Sequence, residues 1–128
     1  MATLKISDLS VGDCVRYRDR EWQVCSIYQF TGEVGLFRKD SQICESIEDI
    51  ESIPITPEIL EANGWERNEE DECMEWYGDP TSCIAHTKGI YRYRLEVPYV
   101  SAVCYFVHQL QHALRLAGVD KEIVMPNK

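Results

Sequence analysis

The chain has 128 residues, 45% of them hydrophobic, with 22 acidic and 13 basic residues and a net charge of −9. That length holds one domain or two small lobes sharing a core, and no apolar run approaches the roughly 20 residues that a membrane-spanning helix needs. The acidic balance disfavours nucleic acid as a partner, because phosphate backbones are repelled.

In chain order, Met1–Asp8 has no apolar h-region of a secretory signal. A cytoplasmic location is the expectation. Leu9-Ser10-Val11-Gly12-Asp13 reads as a turn. Cys14-Val15-Arg16-Tyr17-Arg18 alternates, with Val15 and Tyr17 on one face, and Asp19-Arg20 reverses the chain. Trp22–Tyr28 is rich in β-formers, and Thr31-Gly32-Glu33 breaks that strand. Val34–Arg38 and Gln42–Cys44 continue the meander. Ile47–Ile50 reads as one helical turn, and Glu51–Pro54 as a last strand. Five short strands and one turn predict a small SH3-like β-barrel over residues 1–54.

Residues 55–128 predict an α+β lobe, either separate or continuous with the barrel. Thr56 is placed to cap a short helix from Pro57 to about Ala62, which Asn63-Gly64 ends. Trp65–Arg67, Met74–Tyr77, Ser82–His86 and Ile90–Val97 predict an antiparallel sheet, with Tyr91, Tyr93 and Leu95 on one face and Arg92, Arg94 and Glu96 on the other. Within Tyr99–Gly118, the residues Val103, Val107, Leu110, Leu114 and Ala117 form one stripe of a long amphipathic helix, with Gly118 at the C-cap. That stripe predicts buried Val103, Val107, Leu110 and Leu114 and exposed His108 and His112. Glu122–Met125 is expected as a tail strand. The fold class is therefore α+β.

Three pieces, taken together, resemble a known group. They are the N-terminal Val-Gly-Asp-x-Val-Arg-Tyr segment, the run from Ile53 through Thr56-Pro57 to Gly64-Trp65, and Tyr105–His112 with its Val-His-Gln-Leu-Gln core. The order is similar to that of small proteins of gut-bacterial genomes, prophages and conjugative elements, a family without an assigned activity. The resemblance implies a mobile-element context and supplies no catalytic residues.

The candidate chemistry is sparse. His108 and His112 have the helical spacing of two metal ligands, yet Gln109 stands where a zinc protease needs its general-base Glu. Cys104 lies one turn from His108, but nothing supplies an orienting group or an oxyanion hole. The glycines are scattered, so no phosphate-cradling loop is present. No cofactor or metal is expected, and the chain reads as non-enzymatic. Six cysteines without CxxC spacing are expected to be reduced thiols.

Two Arg/aromatic surfaces are candidate binding sites. One gathers Arg16, Arg18 and Arg38 around Trp22; the other is Tyr91, Arg92 and Arg94. Either suits a small anionic ligand such as a signalling nucleotide, or nucleic acid. Glu45 to Asp79 holds 13 acidic residues and one basic, a net of −12. The densest part of that stretch, Glu69, Glu70, Asp71 and Glu72, is a candidate docking face for a basic protein. A protein-interaction module of phage or mobile-element origin, acting on a host or defence protein, is the leading expectation.

Overall fold

The computed structural model describes residues 4–68, 74–77, 83–86, 93–97, 100–119 and 122–126, with the backbone alone described at 66–68, 74–77, 83–86, 96, 97 and 100. The chain divides into two compact units, Met1–Ile53 and Pro54–Lys128. Both are built on antiparallel sheets, and the chain as a whole is α+β.

The first unit is a four-strand meander, β1 (Cys14–Tyr17), β2 (Arg20–Tyr28), β3 (Glu33–Arg38) and β4 (Ser41–Ser46), paired in chain order. The Val-Gly-Asp turn that launches it is built by its own side chain. The buried Asp13 carboxylate accepts the Ser10 N–H at 2.7 Å, and Gly12 takes φ +98°, which glycine adopts without Cβ strain. Arg18 and Asp19, both at positive φ, make the two-residue reversal between β1 and β2.

The inner face carries Val15, Tyr17, Val24, Val34 and Leu36, which with Leu9 and Ile50 form the core. Strict alternation along β2 would send Ile27 outward. A bulge between Val24 and Ser26 adds one residue, Cys25, and returns Ile27 to the core side opposite Val34. The sheet curls enough to bring the Glu45 carboxylate of β4 within reach of the Tyr17 hydroxyl of β1. Burial first, then the Glu45 carboxylate, raises the hydroxyl above its ordinary value.

The expected barrel is not closed. After a 3-10 turn at Ile47–Asp49, the return segment makes a single antiparallel bridge, Arg16 to Glu51, in place of a fifth strand.

The second unit begins with α1 (Pro57–Ala62), capped by Thr56, whose hydroxyl accepts the Ile59 N–H at 3.3 Å. A sheet in chain order follows: β5 (Glu66–Asn68), β6 (Met74–Tyr77), β7 (Cys83–His86), β8 (Tyr93–Val97) and β9 (Val100–Cys104). Tyr93 and Leu95 are buried while Arg94 between them is exposed, as the alternation requires.

The C-terminal helix, α2 (Val107–Leu116), corrects the long helix read from the sequence. Val100–Cys104 is a strand, in register Val97 with Val100 and Tyr93 with Cys104. Its valines, alanine and cysteine fit a half-buried pleat as well as a helix stripe, and pairing with β8 decides the matter. Val103 is accordingly 47% exposed, not buried. The Gln109 side chain fixes where the helix starts, accepting the N–H groups of Tyr105 at 2.7 Å and Phe106 at 3.1 Å.

Both helices end alike. Trp65 N–H reaches Leu60 O and Gly64 N–H reaches Glu61 O; Val119 N–H reaches Leu114 O and Gly118 N–H reaches Arg115 O. These are two Schellman closures, with Gly64 at φ +92° and Gly118 at φ +75°. The expected tail strand is replaced by an irregular segment at 122–126, with Ile123 and Met125 buried.

Candidate functional site

The structure does not assemble the first Arg/aromatic surface as one patch. Arg16 lies on the outer face of β1, opposite Glu21 and bridged to Glu51. Trp22 is opposite Val15, one residue out of phase with Arg16, and packs against the core with its ring edge-on to Tyr17 at 6.5 Å. Arg18 sits in the β1–β2 turn with its guanidinium 5.4 Å from the Tyr17 ring centroid, a cation–π contact. Arg38 is half-buried, in the inward phase of β3. Arg16 and Trp22 thus occupy opposite faces of one sheet. Of the second surface, Arg94 is exposed on β8, while Tyr91 and Arg92 lie outside the described residues. Glu69, Glu70, Asp71 and Glu72 also lie outside them.

His108 corrects a second expectation. It is 4% exposed, stacked on the Phe106 ring at 5.9 Å with 6° between the planes, and His112 meets it edge-on at 5.8 Å. The first turn of α2 buries a wide arc that includes Val107, His108, Leu110 and Gln111, so a single narrow stripe does not describe it. No group of three metal-ligating side chains converges among the described residues. Burial pushes the Cys104 thiol up to about 11, so it is protonated at neutral pH and is not a ready nucleophile. Cys14, Cys25, Cys44 and Cys104 are free thiols.

The feature that the sequence reading missed is the loop between β2 and β3. Phe30 at its tip is fully exposed and Tyr28 is 51% exposed. The loop is shaped, not loose. Gly32 at φ +72° donates to Tyr28 O at 3.0 Å, and Gly32 O accepts the Ile47 N–H at 2.9 Å. This last bond sets the 3-10 turn Ile47–Asp49 beside the loop, bringing the exposed Glu48 and Asp49 to the same end of the sheet as Glu33. No basic residue occurs in 28–35 or 45–49. The result is an aromatic tip flanked by carboxylates. A phenylalanine placed in a turn, with Gly32 two residues on, was the available signal.

No protein-family model matches this chain, and comparisons with curated proteins and with solved structures return no match.

Proposed function

We propose that the chain is a non-enzymatic protein-interaction module that docks through the Phe30 loop onto a basic protein surface with an apolar pocket. The observation that carries this reading is the fully exposed Phe30 beside Tyr28, bounded by Glu33, Glu48 and Asp49. Burying a phenylalanine is worth roughly 1.5–3 kcal/mol, and within the first unit Phe30 collects none of it. Aromatic anchors of this kind dominate binding energy, while surrounding charge steers encounter and selects partners.

The acidic stretch through Glu69, Glu70, Asp71 and Glu72 would extend the same preference for a basic partner. We read the first unit as an SH3-like partial barrel. Its chain-order meander, the 3-10 turn after β4 and the Arg16–Glu51 bridge support that. A phage or mobile-element origin and a host or defence protein as the partner rest on the resemblance of the sequence segments. The alternative, an anion or nucleic-acid binder using Arg16, Arg18, Arg38 and Trp22, is weakened by the split of those residues between two faces.

The test is affinity capture from host lysate with the wild type, Phe30→Ala and an Arg16→Ala/Arg18→Ala variant, followed by measured affinities for whatever is recovered. The reading expects one or more proteins whose binding weakens by at least ~2 kcal/mol, about 30-fold, in Phe30→Ala and is unaffected by the arginine changes. A captured protein indifferent to Phe30→Ala, or a nucleic acid or small anion held at physiological salt and lost with the arginines, overturns it.

A further inference from the structure

We propose that Cys25 and Cys44 form a two-thiolate clamp over Gly35 for a soft, two-coordinate monovalent cation of the Cu(I) class. Gly35, on the outer face of β3, has Cys44 directly opposite on β4 and Ser26 directly opposite on β2. The bulge makes Cys25 the extra residue of its strand, and its Sγ falls 3.2 Å from where a Gly35 Cβ would stand. The central strand therefore contributes no side chain between the two sulfurs, and the Ser26 hydroxyl, which lies over that same Cβ position, must turn aside for a cation to sit there. Both thiols are free and exposed.

The spacing selects the chemistry. Strands β2 and β4 are two strand spacings apart, about 9.6 Å. A disulfide needs Cα atoms within roughly 7 Å, so the pair cannot oxidise to one without backbone movement. A metal–thiolate bond is about 2.3 Å, so a linear S–metal–S unit adds about 4.6 Å between the sulfurs and accommodates the wider span. Thiolates select soft cations such as Cu(I) over hard ones. Among the described residues no third ligating side chain of the kind a zinc site needs converges here.

Uptake is an exchange of protons for metal: two thiols and one M⁺ give an anionic S–M–S unit and two H⁺. The Cys44 thiol donates to Glu33 Oε2 at 3.7 Å, a bond that metal binding gives up. Because two protons leave for each cation bound, uptake strengthens with rising pH.

The experiment uses the full chain carrying Cys73→Ser and Cys83→Ser, titrated anaerobically with Cu(I) against a chromogenic Cu(I) chelator. One equivalent should bind. Cys25→Ser or Cys44→Ser should each weaken it by more than the 10–100-fold that loss of an outer-shell partner costs. In parallel, native wild-type protein is alkylated with and without Ag(I), and modification is read peptide by peptide. Joint protection of Cys25 and Cys44, lost at both when either is changed to Ser, supports the clamp. Protection of one alone, of neither, or independent protection of each overturns it, whether or not the multiple variant folds.

Discussion

The Asn63 carboxamide pairs with the backbone of Val124, 61 residues away, in both directions. Its nitrogen donates to Val124 O at 2.8 Å, and its oxygen accepts the Val124 N–H at 2.7 Å. The same nitrogen donates to Ile59 O at 2.7 Å in the last turn of α1. A buried side chain at a helix C-cap thus stands in for a neighbouring strand and seats Ile123 and Met125.

Asn63→Ala should destabilise the second unit by about 1–3 kcal/mol, the cost of buried polar groups left without partners. Asn63→Asp should cost more, because a carboxylate oxygen would face two carbonyls. Urea unfolding gives the magnitude, and hydrogen exchange at the Val124 amide should quicken in both variants. Unchanged exchange there would contradict the pairing.

Leu110 and Val103 should behave oppositely although one helical stripe was read through both. Leu110 is 1% exposed, and Leu110→Ala should cost about 2–5 kcal/mol. Val103 is on the exposed side of β9, and Val103→Ala should stay within about 1 kcal/mol, the span of strand propensity. Comparable losses in urea unfolding would restore the longer helix.

Gly35 is needed for space, not for backbone freedom. A Cβ there would collide with the Ser26 hydroxyl. Gly35→Ala should cost about 1–3 kcal/mol as overpacking. Adding Ser26→Gly should recover part of that loss, and a double-mutant cycle reads the coupling. Strict additivity of the two changes would refute the collision.

Cys104 should give the fold an alkaline limit. Its thiol moves from an ordinary value of 9.0 to about 11 on folding, through burial. A raised value means the folded state holds the proton more tightly. The stabilising contribution is complete below pH 9 and is lost as pH climbs toward 11. Cys104→Ala should flatten the fall in urea-measured stability over that window, and parallel curves for variant and wild type would rule the group out.

The sequence made both ends of α1 and the end of α2 legible because caps are local. Thr56 and Pro57 started α1, and Gly64 and Gly118 closed α1 and α2, where each was expected. The meander of the first unit was readable for the same reason, its strands being punctuated by short turns. What could not be read was decided at a distance. Val100–Cys104 carries an apolar pattern compatible with helix or strand until β8 pairs with it. The burial of His108 follows from its stacking on Phe106 and from the late start of α2. The splitting of Arg16 from Trp22 was implicit in alternation along the hairpin but only register made it definite. Phe30 went unnoticed because a turn residue has no periodic neighbours to mark it.

Glu45 has a consequence for how the first unit keeps to itself. Among the described residues β4 has a pairing partner on one side only, β3, so its other side is open to a strand from another chain. Such edges seed aggregation unless something spoils them. Glu45 is opposite Val34 and turned toward the core side, where its carboxylate faces the Tyr17 hydroxyl. A strand adding to β4 at that position would set its own inward side chain beside a charge. The Glu45 carboxylate therefore guards the open edge of the sheet, and Glu45→Leu should make the chain more prone to assemble into β-rich aggregates even where its monomeric stability rises.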